Sequence, residues 1–136
     1  MNKDRVKLLE QFIKEEPENP FNKYALAMEY YDVDSQAALQ LLSYLQQQHP
    51  SYLPAYYQLA NLLREEGNRE SADYIFKLGI KLAEELNDTK TRSELLSSYK
   101  NFLFEKDWIK DLGTVSISYI RIFYDCSRYM FWFSIF

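Results

Sequence analysis

Two side chains in this sequence have pKa values and reactivity suited to nucleophilic or acid–base chemistry near neutral pH: His49, the only histidine, and Cys126, the only cysteine. A thiolate–imidazole pair needs the two within hydrogen-bond reach and a third group to orient the ring. They stand 77 positions apart on different elements. No Ser–His–acid arrangement assembles on sequence grounds. The paired acids Glu15/Glu16, Glu65/Glu66 and Glu84/Glu85 are adjacent, and adjacent residues of a helix do not share a face, so they make poor general acid–base pairs. There is no glycine-rich run to cradle a phosphate and no Cys/His spacing to hold a metal. The expectation is a chain without catalysis, cofactor or metal. His49 precedes Pro50 at a helix end, where a cation favours the C-terminal dipole, so a capping or solvent-facing role is expected for it.

Other classes fall for similar reasons. The 136 residues carry 16 Lys and Arg against 20 Asp and Glu, a net charge of -4. The bases sit beside acids, as in Lys14-Glu15-Glu16 and Arg64-Glu65-Glu66, which reads as solvated helix faces rather than a nucleic-acid footprint. A lone cysteine forms no internal disulfide and fits a reducing, cytoplasmic compartment. The first 20 residues lack the apolar run and cleavage site of a secretion signal. No stretch of about 18 apolar residues is free of charge, so a membrane span is not expected.

The elements that position these side chains read as helices. Only three glycines occur, which speaks against an all-β fold. Residues 3–15 place Val6, Leu9, Phe12 and Ile13 at helical spacing. Asn19 caps a second helix over 20–31 with Pro20 at its first position, and Asp34 or Ser35 caps a third over 35–48, which Pro50 ends. Ser51 opens a fourth that runs to about Glu66, Gly67 takes the position after its end, and Asn68 caps a fifth over 69–86. Asn87-Asp88 breaks it, and Asp88 or Thr89 caps a sixth over 89–104. Loops this short force antiparallel neighbours.

The helices repeat. Pro17 to Pro50, Leu26 to Leu59 and Ala27 to Ala60 are each 33 residues, while Ala38 to Ala72 and Leu42 to Phe76 are 34. A helix pair recurring at this period signals a stacked array. The small residues Ala27, Ala38, Ala60, Ala72 and Gly79 fall where helix axes approach within about 8–10 Å.

In these residues the sequence resembles the tetratricopeptide repeat family over about residues 5–104. The second copy shows Tyr56, Leu59-Ala60, Leu63, Gly67, Ala72, Phe76 and Gly79; the first shows Leu26-Ala27, Tyr30, Ala38, Leu42 and Pro50. The first helix looks like the B half of an earlier repeat, and the sixth like a third A half. Lys23 takes the usual aromatic place, Glu84 that of the second proline and Leu45 that of a small residue.

The resemblance implies an all-α fold of antiparallel helix–turn–helix repeats stacked as a short right-handed solenoid. Its domain covers residues 1–106: half repeat 3–17, repeats 18–50 and 51–86, capping helix 88–104. It implies a concave groove lined by A helices, which places Tyr24, Met28, Tyr31, Tyr57, Asn61, Arg64, Ser93, Ser97 and Lys100 on that lining. Tyrosines offer rigid contact area with a polar tip and Met28 adapts its shape. Asn61 is suited to a peptide backbone, and Arg64 and Lys100 to a carboxylate. Family members that bind chaperone tails clamp a terminal carboxylate with Lys and Asn, and here Met28, Ser93 and Ser97 stand at such places. The implied function is a non-enzymatic adaptor that binds a peptide or helix of another protein.

Beyond Lys106 the character changes. Residues 107–136 include Trp108, Tyr119, Phe123, Tyr124, Tyr129, Phe131, Trp132, Phe133 and Phe136. Periodicity there fits a strand over 114–120 or a helix over 117–133. Apolar surface on this scale drives association, so the segment is expected to pack on the repeat domain or on a second chain. The alternative function is therefore a self-associating structural protein that forms a homodimer through residues 108–136.

Overall fold

The protein is described here by a computed structural model covering residues 1–111, with side chains through Glu105. Six helices follow one another: α1 (Lys3–Glu15), α2 (Pro20–Tyr30), α3 (Ser35–Gln48), α4 (Pro54–Glu65), α5 (Arg69–Glu85) and α6 (Thr89–Asp111). The described residues contain no strand. Met1–Phe102 form one compact unit, and α6 continues past it, beyond the end expected near residue 104. The aromatic stretch assigned to self-association lies outside the described residues apart from the last turns of α6.

Local chemistry sets the helix ends. The Asn19 side chain accepts from the Phe21 N–H with Pro20 at the first turn, and Asp34 accepts from Ala37. Asn68 accepts from Ser71, and Asp88 accepts both the N–H and the hydroxyl of Thr91 at 3.0 and 2.8 Å. Each satisfies a donor that the first turn leaves orphaned. At the end of α4 the Asn68 N–H reaches the Leu63 carbonyl and the Gly67 N–H reaches Arg64, at 2.9 and 3.0 Å. This closure requires a left-handed residue, and Gly67 supplies it at φ +79. Asn87, at φ 55, closes α5 the same way, its N–H on the Glu84 carbonyl and the Asp88 N–H on the Ala83 carbonyl.

One start differs from expectation. The fourth helix begins at Pro54, three residues after Ser51, and the position before it is Leu53, which makes no side-chain cap. Proline is favoured at a first helical position because its missing N–H is one that would go unpaired there. Ser51 and Tyr52 are left in the loop.

Consecutive helices pack as pairs, α1 on α2, α2 on α3, α3 on α4 and α4 on α5. The connections of three to five residues hold each pair antiparallel. Ala27, Ala38, Ala60 and Ala72 are 0% exposed, with Leu42, Leu45, Leu59 and Phe76 filling the core between them. Leucine at Ala60 or Ala72 adds methylenes to a space already filled. Ala60→Leu and Ala72→Leu are each expected to cost about 1–3 kcal/mol, read as a lower urea midpoint; an unchanged midpoint in both would contradict this packing. α1 packs on α2; on it Val6 is buried and Phe12 is 40% exposed.

Lys23 stands where the family carries an aromatic, and the structure gives the reason it fits. In the second copy Tyr56 donates its hydroxyl to the Pro50 carbonyl at 2.7 Å. In the first copy the Lys23 ammonium donates to the carbonyl of Pro17, the repeat equivalent of Pro50. The ring missing from position 23 comes from α3, where Tyr44 lies beneath the Lys23 ammonium at 5.3 Å from its centroid. Lysine thus keeps the donor, and a neighbouring helix provides the aromatic face.

Candidate peptide-binding face

Four of the side chains expected on the lining stand on α2, just past its end and on α4. Tyr24, Met28, Tyr31 and Tyr57 are each half-buried and pack their inner edges against the core. Tyr24 meets Tyr52 edge to face, ring centroids 5.7 Å apart. Sequence reasoning missed Tyr52 by placing it inside the fourth helix; the signal was Pro54, which moves that helix's start past it.

Tyr31 lies within electrostatic range of Glu65, Arg64 and Tyr57. Burial pushes the Tyr31 hydroxyl from 10.0 up to about 12, the Glu65 carboxylate adds to the rise, and the Arg64 guanidinium opposes it.

Asn61 has another task. It is buried at 7% exposure, its amide N–H donates to the Tyr57 carbonyl at 2.9 Å, and its carbonyl accepts from the Ser98 hydroxyl at 2.8 Å. Its amide therefore joins α4 to α6 instead of facing a peptide backbone. The same bond makes Ser98 the buried polar contact of α6. Ser93, Ser97 and Lys100 are exposed on α6.

His49 caps the end of α3, its N–H on the Leu45 carbonyl and its ring 6.5 Å from Tyr44. Cys126 lies outside the described residues. Among the described residues no group of His, Cys, Asp and Glu could hold a metal ion, and no helix is long and apolar enough to cross a membrane.

On the opposite, B-helix side two shallow cavities open along α5. One, of about 400 Å³, has Leu59, Leu63 and Ile75 as its floor, Ser43, Gln46 and Gln47 of α3 on one wall, and Glu70, Ser71 and Tyr74 of α5 on the other. The second, of about 320 Å³, lies between the Pro50-Ser51 loop with Tyr56 and the α5 residues Leu78, Lys81, Leu82 and Glu85.

Several hydroxyls of this fold resist ionisation. Burial raises Tyr52, Tyr56 and Tyr99 as it raises Tyr31, and the bond to Asp73 raises Lys77 and adds to Tyr99. A buried phenol favours the protonated form in the fold. Its stabilisation is complete below its unfolded pKa of about 10 and is lost as pH rises through the folded value. Lys77, raised by the carboxylate that holds its charge, acts in the same direction. Stability is therefore expected to fall between about pH 10 and pH 12, and Tyr31→Phe, which removes one titrating group, is expected to shallow that fall. Urea midpoints measured across this range check it, and a midpoint independent of pH would contradict the burial of these groups.

Comparison with solved structures follows this geometry. The chain is similar to a tetratricopeptide repeat domain protein from Salinibacter ruber, in a solution structure 33% identical over 63% of this chain and 88% of that one, with a TM-score of 0.60. A crystal structure of a Salinibacter ruber tetratricopeptide repeat domain protein matches at 32% identity over 62% of this chain and 96% of that chain, again with a TM-score of 0.60. A protein from Bordetella parapertussis shares the fold at 21% identity and a TM-score of 0.68, covering 81% of this chain and 96% of that one. MamA shares it at 17% identity and 0.53, covering 84% and 69%. No family model matches the sequence, and no curated protein does. Paired helices at a 33–34-residue period, alanines at the seams, and 33% identity across 88% of a repeat protein agree: this chain belongs to the tetratricopeptide repeat family.

Proposed function

We propose that this protein is a non-enzymatic adaptor of the cytoplasm that binds a peptide or helix of another protein on the face formed by α2 and α4. The observation that carries the reading is the set Tyr24, Met28, Tyr31 and Tyr57. These side chains are anchored in the core on one edge and open to solvent on the other. Rigid, half-buried aromatics are the composition of binding hot spots, since they lose little entropy on contact and exclude water well. Arg64 and Lys100 would meet acidic groups of the partner, while Asn61 would act by fixing the backbone of Tyr57.

Affinity capture from the source organism tests it. A partner held by the native chain is expected to weaken at least tenfold with Tyr24→Ala/Tyr57→Ala, with the helical circular-dichroism signal retained; truncating an interface anchor costs about 2 kcal/mol or more. An undiminished interaction would remove the site. A second reading rests on the nine aromatics named in residues 107–136: the chain self-associates through that segment. Sedimentation across a concentration range, with and without residues 108–136, separates the two.

A further inference from the structure

Arg5, Leu8, Phe12 and Glu15 follow one another along α1 at steps of three, four and three residues. At about 100° per helical residue, all four fall within about 80° of the helix circumference. Val6, the buried residue of α1, lies about 160° from Leu8. The stripe itself is open to solvent. Leu8 is 49% exposed and Phe12 40%, and Arg5 and Glu15 are exposed beside them.

The repeat shows what this stripe is not. One period of 33 residues on, Arg5, Leu8 and Phe12 correspond to Ala38, Leu41 and Leu45 of α3. There Ala38 and Leu45 are 0% exposed, covered by neighbouring helices. α1 keeps the apolar pair but carries a guanidinium where α3 has a methyl group. Arg5 is also held in place, its guanidinium 2.8 Å from the Glu29 carboxylate. A helix seated here as others seat on α3 would have to desolvate that charge, so the occupant must bring an anion to it.

The stripe supplies that anion itself. A cation stands near its start and a carboxylate near its end, about 15 Å apart along the axis, with the two large apolar side chains between them. In a second α1 running antiparallel about a two-fold axis at residue 10, Leu8 meets Phe12 of the other copy and Arg5 meets Glu15 of the other copy. Each pair occurs twice, as a two-fold interface requires. A parallel copy would set Arg5 on Arg5 and Glu15 on Glu15. Steps of three and four are also the spacing by which paired helices interlock. A guanidinium has five donors, so Arg5 can hold Glu29 and a second carboxylate together.

We propose that α1 is a self-association seam, on which α1 of a second copy packs antiparallel through Leu8 and Phe12 between two Arg5–Glu15 pairs. The seam uses no residue of the α2/α4 face or of the 107–136 segment.

The test dilutes the nitrogen-15-labelled full chain from about 1 mM to about 0.02 mM, a range suited to a seam smaller than the ~800 Å² per partner of a standard interface. Amide shifts at Arg5, Leu8, Phe12 and Glu15 are expected to move in step with the sedimentation mass, from dimer towards monomer, and added salt is expected to weaken the association. Leu8→Glu and Glu15→Arg are each expected to weaken it at least fivefold. Glu10→Arg makes the same change of charge on the opposite side of the helix and is expected to leave it unaltered. All three positions are exposed, so the melting temperature is expected to hold. In a Cys126→Ser background, a nitroxide on Asp4→Cys of an unlabelled copy is expected to broaden Glu15 and Glu16 of the labelled one. Broadening centred on Asp4 and Arg5 would mean a parallel pair and overturn the proposal. Equal losses for Glu15→Arg and Glu10→Arg would overturn it as well. So would a dimer that survives Leu8→Glu and Glu15→Arg, since association would then run through another surface such as residues 107–136. A monomer at about 1 mM would overturn it and leave the stripe to a helix of another protein.

Discussion

Phe76→Ala should destabilise the Met1–Phe102 unit by about 3–5 kcal/mol, the range for deleting a fully buried aromatic. Phe76 is 0% exposed, and its ring centroid lies 5.5 Å from Tyr99 and 5.6 Å from Phe102. It is the α5 member of the aromatic cluster that attaches α6. Two polar contacts secure the same junction. The Tyr99 hydroxyl donates to Asp73 at 2.7 Å, and the Arg69 guanidinium lies 4.6 Å over the Phe102 ring while donating to the Phe102 carbonyl at 3.0 Å. Removing the Phe76 ring leaves those contacts around a void, so the cavity adds to the lost transfer energy. Against a total of about 5–15 kcal/mol, such a loss takes a large share of the fold's stability. A melting temperature lower by roughly 20 °C is expected by circular dichroism, since 1 kcal/mol moves a domain of this size by about 4–8 °C. A fall of under about 5 °C would show that the cluster is not packed as described. Arg69→Ala should give a smaller loss, because it removes one edge of the cluster and leaves the three rings in contact.

Gly79→Leu is expected to cost about 3 kcal/mol, at the upper end for overpacking. A Cβ at position 79 would lie 2.9 Å from the Tyr56 Cβ and 3.2 Å from the Leu95 Cδ1. The first of these is one bond from the α4 backbone, so it yields only if α4 moves. Leu95 can turn, but it is 0% exposed and has little room. Gly79→Ala separates two opposing effects. Alanine gains about 1 kcal/mol of helix propensity over glycine, and the clash costs about 1–3 kcal/mol. The net expectation is a modest loss, read from the urea midpoint. A gain in stability for Gly79→Ala would show that α4 and α5 are free to separate. The contrast with Gly67 is instructive, for a Cβ there meets nothing within 4 Å. Gly67 is glycine for its positive φ, and Gly79 for the closeness of two helices.

Small residues between α4 and α5 let those helices come close, and α3 packs on α4 as well. Leu59 and Leu63 of α4 line the first cavity between residues of α3 and α5.

Sequence alone determined most of the helix boundaries, the repeat and the small residues at its seams. These are local or periodic properties. A cap is a contact within three residues, as between Asn68 and Ser71, and a buried stripe shows as spacing along one helix. Tertiary structure decided what each half-exposed side chain faces. Asn61 carries the right residue type for a peptide contact, but its amide is claimed by Ser98, 37 positions on, and only the rotation of α6 against α4 sets that. Lys23 looked like a departure until Tyr44 of another helix supplied the ring. Phe12 has the helical spacing of its apolar neighbours and is 40% exposed all the same. Periodicity says which residues share a face; only the packing of helices distant in sequence says what that face meets.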